Sequence, residues 1–228
     1  MADENDTVIA AWNGVLFDKF SRLKHLLTEG LSVHSDAALA RRAHPEGARV
    51  LDVGCGFGDC TRRIANDVGP RGTAVGVDCA RNFVEAAAQD ARQAGVGNVA
   101  FFEADVQADD LRGPYDHAFS RFGTMFFALP GAALRNIRRA LDPGGTLTMV
   151  VWRRREDNPW LHEAEVRVRE IVPVVAHEDT DQVHCGSGPF SMAGPDTVSA
   201  LRETLAPYAR DDGVWAPSST WIVTARNP

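Results

Sequence analysis

Between Arg49 and Trp152 short apolar runs alternate with helical segments, and this alternation constrains the fold more than any other feature of the chain. The runs are residues 49–53, 73–78, 99–103, 115–120 and 146–152. Helices are expected between them: over residues 58–68, ended by Gly69-Pro70; over 81–94, with Phe83, Ala87 and Ala94 on one face and Gly95 as the stop; and over 130–141, with a proline at the start. Strands that are apolar at nearly every position are buried on both faces, so they belong to a parallel sheet covered by helices on both sides. Right-handed crossovers wind such a sheet in two directions. The fold class this predicts is α/β, with a doubly wound, mostly parallel sheet.

Ahead of this region Leu16, Phe20, Leu23 and Leu27 recur at i, i+4, i+7 and i+11, a helical stripe that Gly30 can end. Asp36 can cap a second short helix, and His44-Pro45-Glu46-Gly47 breaks the chain. Beyond Trp152 helices are expected over 159–172 and 198–205, and TWIVTA at 220–225 reads as a closing strand. The organisation expected is an N-terminal helical cover (1–48), a ligand-binding core (49–158), and a C-terminal cover with the closing strand (159–228).

The 228 residues suit one α/β domain with an appendage, and 44% hydrophobic with 24% charged residues supplies a core and excludes a wholly disordered chain. Lys+Arg is 24 against 31 Asp+Glu, a net charge of −7, so the basic face of a duplex-binding protein is not expected. The run Arg153-Arg154-Arg155 is bracketed by Asp142 and Glu156-Asp157 and reads as a solvated strand end. No apolar run approaches the ~18 residues of a membrane helix. The acidic start, MADENDTVIAAW, lacks a basic n-region, and a cytoplasmic protein with no membrane partner is expected. Cys55, Cys60, Cys79 and Cys185 form no C-x-x-C pair, so they read as small thiols in a reducing compartment, with no metal site.

The first strand runs directly into Asp52-Val53-Gly54-Cys55-Gly56-Phe57-Gly58. Glycines at alternate positions let the backbone turn tightly and approach a ligand, and the next helix offers unpaired N–H groups there. The spacing G-x-G-x-G departs from the dinucleotide pattern G-x-G-x-x-G. Asp52, two residues before the first glycine, would repel a pyrophosphate and suits an amino group. The second strand ends in Asp78, placed to accept two ribose hydroxyls. Glu103-Ala104-Asp105-Val106 follows the third strand, and the fourth ends in Ser120-Arg121-Phe122-Gly123. In a parallel sheet these ends share one edge, so Asp52, Asp78, Asp105 and Ser120 converge.

With these residues in view, the chain resembles class I S-adenosylmethionine-dependent methyltransferases, in the small-molecule branch that includes quinone-biosynthesis enzymes. VLDVGCGFGDCT at 50–61 looks like motif I and AVGVDCA at 74–80 like motif II. FFEADVQ at 101–107, YDHAFSRFGTMFF at 115–127 and ALDPGGTLTMVVW at 140–152 resemble the later motifs, and EDNPW at 156–160 narrows the branch. The resemblance implies a Rossmann-like methyltransferase fold with an antiparallel closing strand. It implies S-adenosyl-L-methionine as cofactor, with Asp52, Gly54 and Gly56 around its methionine part, Cys55 also in the cofactor site, and Asp78 on the ribose. Cys79 would lie beside the adenine, Asp105 would accept from its amino group, and Val106 would offer a backbone N–H. Ser120, Arg121 and Phe122 would border the site, with Arg121 near the cofactor carboxylate and the methyl group. Trp12 and Asn13 match a stretch that closes over the cofactor; packing of a helix end explains Trp12 equally well.

The chain departs from the family near its end. Members continue after a GPFSMAGPD-like segment into a helix and a sixth strand, whereas here Ser199-Ala200 runs straight into Leu201-Arg202-Glu203-Thr204-Leu205. The shortened C-terminal region implies that the sixth strand is missing, leaving the closing strand with one bare edge. Either residues 173–185 cover that edge or a second chain does, and a homodimer is the closure favoured.

The activity implied is methyl transfer to a small-molecule acceptor by in-line displacement, which asks chiefly for alignment and no metal. No catalytic residue is named by the sequence; if the acceptor must lose a proton, His162 and His34 are candidate bases, while His117, mid-strand, reads as structure. Two rival readings stay open: a catalytically weak cofactor-binding scaffold or regulator, favoured by the shortened end, and an NAD-dependent oxidoreductase, disfavoured by the glycine spacing.

Overall fold

Val50, Leu51 and Val53 are fully buried. Their strand, β1 (Arg49–Val53), is flanked in parallel by β2 (Thr73–Asp78) and by the later strand Tyr115–Arg121. In the computed structural model, which describes residues 2–171 and 195–228, the chain divides into two units. The first comprises residues 1–151 and 222–228, and the second residues 152–221.

In the first unit β3 (Val99–Glu103) pairs outside β2, with Asp78 opposite Glu103, and β4 (Tyr115–Arg121) carries β5 (Leu141–Trp152) on its far side. Leu51, Val53, Val75, Val77 and Ala118 share one core with Ala133 and Ile137 of the helix over Pro130–Ala140. Alternation along each strand sends Val50 and Ala74 to the other face. Fully burying such a side chain is worth about 1.5–3 kcal/mol, so the continuous apolar runs favour a sheet with two covered faces.

Four helical segments precede the sheet: α1 (Ala2–Ala11), a π-turn (Trp12–Leu16) kinked at Gly14, α2 (Phe17–Arg22) and α3 (Lys24–Arg41). The helical stripe is therefore correct in type and wrong in its boundaries. The break falls at Leu23 (φ −106°, ψ 13°), and α3 runs unbroken through Gly30 and Asp36. A glycine costs about 1 kcal/mol inside a helix, which other residues of α3 can offset. Asp36 caps nothing and instead takes Arg63 at 3.1 Å. Trp12, Phe17 and Phe20 pack on Phe57, Ala80 and Phe83. Their rings meet edge to face, Phe17–Phe83 at 5.0 Å and Trp12–Phe20 at 5.4 Å.

The remaining helices of this unit are α4 (Asp59–Val68), α5 (Arg81–Gln93) and α6 (Pro130–Ala140). The second unit holds α7 (Pro159–Ile171), α8 (Pro195–Leu205) and a small hairpin of β6 (Ala209–Arg210) with β7 (Gly213–Val214). Buried Asn158 stitches its two ends together: its Oδ1 accepts the Ser219 N–H at 2.8 Å, and its Nδ2 donates to the Arg154 carbonyl at 3.0 Å. Glu165, also buried, takes Arg155 at 2.6 Å and Arg169 at 2.7 Å.

The closing strand, β8 (Thr220–Arg226), pairs with β5 and completes the order β3-β2-β1-β4-β5-β8. It is antiparallel: the Gly144 N–H donates to the Asn227 carbonyl, and the Asn227 N–H donates to the Gly145 carbonyl, both at 2.8 Å. Among the described residues β8 is the last strand in the sheet order. Residues 173–185, one expected cover for its edge, lie outside the described residues. No helix among the described residues is long and apolar enough to cross a membrane.

Candidate functional site

The strand order reverses at β1, with β2 and β3 on one side and β4 and β5 on the other. Crevices open beyond the carboxyl ends of strands at such a point. There β1 runs into the turn 54–58, whose first N–H groups, of Gly54 and Cys55, both donate to the Val77 carbonyl at 2.9 and 3.0 Å. Gly54, Gly56 and Gly58 all have positive φ (69°, 51° and 68°), a region in which other residues are strained. The outer two have separate steric duties. A Cβ on Gly54 would lie 2.8 Å from the Gly123 Cα, and one on Gly58 would lie 2.8 Å from both Ala87 and Phe101. A Cβ on Gly56 would meet nothing within 4 Å. Gly56 lies on a cavity beyond the strand ends, and its bare backbone leaves that space open.

The cavity has a polar floor and an apolar roof. Gly54, Gly56, Asp78, Cys79, Asp105 and Arg121 line the floor. Val8, Ile9, Trp12 and Phe20 line it from the N-terminal helices, with Phe83 from α5 and Phe126 from the turn after β4. Asp78 shapes the turn, its Oδ2 accepting the Gly56 N–H and its Oδ1 the Ala80 N–H, both at 3.0 Å. Asp105 Oδ1 accepts the Gln107 backbone N–H at 2.9 Å, which fixes the turn after β3. Arg121, at the end of β4, is forked onto Asp59 at the start of α4, at 2.6 and 2.9 Å.

Burial raises two carboxylates at this site, Asp52 and Asp78. Asp52, 1% exposed, is pushed up to about 7 by burial, against the Thr61 hydroxyl that donates to it at 2.6 Å. Asp78 is raised by burial against the N–H bonds from Gly56 and Ala80. Burial and the Asp78 charge push the Cys79 thiol up to about 12, so it is protonated at neutral pH and a poor nucleophile. Buried carboxylates with raised affinity for protons also favour a cationic ligand, whose charge would restore theirs.

The polar floor, the bare glycine turn and the acids at the ends of β2 and β3 fit a nucleoside ligand with a cationic head. Residues 44–191 match the family model described as a methyltransferase domain. The chain belongs to the class I S-adenosylmethionine-dependent methyltransferases. Nocamycin O-methyltransferase from Saccharothrix syringae is 33% identical over 168 residues, 68% of this chain and 58% of that protein. The ubiquinone/menaquinone biosynthesis C-methyltransferase UbiE of Pseudomonas savastanoi pv. phaseolicola is 37% identical over 108 residues, 46% of this chain and 41% of that protein. The chain thus spans about half the length of these curated relatives. A crystal structure of a SAM-dependent methyltransferase from Aquifex aeolicus shares the fold, with a TM-score of 0.50 at 21% identity, covering 74% of this chain and 76% of that one.

In this methyltransferase domain, Trp12, Gly54, Cys55, Gly56, Asp78, Cys79, Asp105, Val106, Arg121 and Phe122 come together on the cavity wall. Asp52 and Ser120 lie beneath it, Asp52 bonded to Thr61 and Ser120 donating to the Val53 carbonyl at 2.8 Å. Asn13 is absent from the wall; its backbone carbonyl accepts the Asn82 side-chain N–H at 2.6 Å, tying the π-turn to α5. His34 stands behind the wall, edge-on to Phe122 at 5.6 Å, and burial lowers its pKa. His162 belongs to the second unit, on α7 beside Thr204. His117 is half-buried with Nδ1 2.8 Å from the Thr146 hydroxyl, a structural contact.

Sequence reasoning missed Asp59, Phe126 and the α3 residues Leu27, Thr28 and Leu31, which also line the cavity. For Asp59 the signal was an acid in the first turn after the glycines. Phe126 stood inside the quoted segment 115–127. Nothing in the local pattern singled out the α3 positions, because α3 reaches the cavity only through the tertiary fold.

Proposed function

We propose that this chain transfers a methyl group from S-adenosylmethionine to a small-molecule acceptor by in-line displacement. One observation carries the reading: the glycine turn, Asp78 at the end of β2 and Asp105 just after β3 line the same cavity, and the space above Gly56 is clear. When bound, the cofactor supplies a sulfonium methyl group ready for displacement. Gly54 and Gly56 would hold its methionine part over Asp52, whose carboxylate suits the ammonium. Asp78 would take the ribose hydroxyls, Asp105 and Val106 the adenine edge with Cys79 beside it, and Trp12 would cover the site. The work of these residues is alignment, which supplies up to about 7–11 kcal/mol in favourable intramolecular cases.

In this reading residues 1–48 cover the site, 49–158 bind the cofactor, and 159–228 form the C-terminal region that carries the closing strand. Among the described residues β8 has no neighbour on its outer edge, and Trp221 and Val223 are exposed, which supports a homodimer as part of the proposal. Light scattering at low concentration tests it, and a monomer removes it. Calorimetry with S-adenosylhomocysteine and with NAD tests the cofactor: binding of the first alone is expected, and binding of NAD alone overturns the reading. A folded protein that binds S-adenosylhomocysteine but turns over none of a panel of phenols, quinols and amines is the result that favours a scaffold.

A further inference from the structure

The strand order splits the cavity wall in two. The ends of β2 and β3 bring Asp78, Cys79, Asp105 and Val106 to one side of the glycine turn, and the end of β4 brings Arg121 and Phe122 to the other. Helix α3 borders this second side. Leu27, Thr28 and Leu31, close together on one helix face, line the cavity. One turn on, the Ser35 hydroxyl lies 3.5 Å from Arg121 Nη1, and the His34 ring meets Phe122.

This half of the cavity sets apolar surface around a guanidinium. Arg121 is 12% exposed and its fork onto Asp59, itself 19% exposed, fixes its orientation and balances its charge. A guanidinium carries five N–H donors and no acceptor, so the fork leaves donors for another partner. It binds an oxygen more strongly the more negative charge that oxygen carries.

We propose that the β4–α3 side of the cavity is the acceptor subsite. Leu27, Leu31 and Phe122 take an apolar aromatic or enolic molecule, and Arg121 binds its acidic hydroxyl as the oxyanion that receives the methyl group. This rests on the methyl-transfer reading above. The oxyanion gives a lone pair to the methyl carbon, and the carbon–sulfur bond breaks with its electron pair kept by sulfur. The negative charge on oxygen and the positive charge on sulfur cancel, and no proton leaves in that step. Asp59 is a positioning residue that acts through Arg121.

The test uses 4-nitrophenol as a coloured probe, titrated with pH on the full chain saturated with S-adenosylhomocysteine. The pKa of the bound probe is expected to fall by about one unit or more below that of the free phenol, a roughly tenfold preference for the phenolate. Arg121→Met should abolish the fall in a folded protein that still binds S-adenosylhomocysteine by calorimetry. Leu31→Glu, which adds a negative charge to the same wall without touching the ion pair, should raise the probe pKa again. If the wild-type protein binds no S-adenosylhomocysteine, the cofactor reading itself fails. If it does bind but the probe is not bound, or is bound with its pKa unshifted or raised, the acceptor subsite alone is overturned. Loss of S-adenosylhomocysteine affinity in a folded Arg121→Met protein also overturns it, because Arg121 would then serve the cofactor.

Discussion

Gly54 and Gly123 meet backbone to backbone across the β1–β4 crevice: a Cβ on Gly54 would lie 2.8 Å from the Gly123 Cα. Neither atom belongs to a flexible side chain that could step aside. Gly54→Ala is therefore expected to destabilise the fold by about 2–4 kcal/mol, through positive φ and overpacking together. Gly56→Ala faces open space and pays only for φ, about 1–2 kcal/mol, but it places a methyl group on the cavity wall. Thermal unfolding should rank Gly54→Ala well below Gly56→Ala. Calorimetry should show that folded Gly56→Ala binds S-adenosylhomocysteine at least tenfold more weakly.

Asp78 has two duties that substitution can separate. Its carboxylate holds the Gly56 and Ala80 N–H groups at 3.0 Å and, in the function proposed above, would take the ribose hydroxyls. Asp78→Ala should cost on the order of 2–4 kcal/mol of cofactor binding and lower the unfolding temperature as well. Asp78→Asn keeps one carbonyl acceptor and should recover most of the unfolding temperature but little of the affinity. Equal affinity in Asp78→Ala and wild type, measured by calorimetry, would remove Asp78 from the binding site.

Asp52 and His44 make stability depend on pH with opposite signs. Asp52 is pushed up to about 7 when folded, from 3.8, so between these values the native state holds more protons than the unfolded chain. Stability then falls as pH rises from about 4 to 7. His44 is pushed down to about 4, first by burial and then by His117, whose ring is 5.2 Å away, so the native state holds fewer protons below 6.5. Its contribution is lost as pH falls from about 6.5 to 4. Unfolding by denaturant across this range should show Asp52→Asn with a steeper fall in stability toward acid than wild type. His44→Gln should show the reverse tilt. Parallel profiles for the two variants would refute the assignment.

Leu51 is fully buried in the core shared with α6, whereas Leu26 on α3 is 59% exposed. Leu51→Ala should cost about 2–5 kcal/mol and Leu26→Ala no more than about 0.5 kcal/mol, as read from urea unfolding midpoints.

The parallel core was legible because each of its strands has to be apolar along its length. The runs 73–78 and 99–103 match β2 and β3 end to end. The glycine turn and the acids after it were legible for the same local reason, since turn chemistry and strand ends are written in neighbouring residues. Gly30 misled because a helix-breaking preference of about 1 kcal/mol is weaker than what a long helix gains elsewhere. Ser120 was read as a cavity residue because strand ends converge, but side chains alternate across the strand, and its hydroxyl turns back to the Val53 carbonyl. Asp59 and Leu31 depend on which elements the topology brings together, and a single sequence does not spell that out.

The chain leaves the sheet at the end of β5 and returns to it as the very next strand, β8, after residues 152–221 have formed a unit of their own. Neighbouring strands lie about 4.7–5.5 Å apart, so this excursion starts and ends on adjacent strands, as a hairpin loop does. It is in effect an oversized hairpin loop. Such a loop can be lengthened, trimmed or exchanged with little demand on the sheet, since each doubling of loop length adds only about 0.6 kcal/mol of closure cost. The core can thus stay constant in descendants of this chain while the residues between β5 and β8 are rewritten, which makes this stretch the natural place to graft a different module.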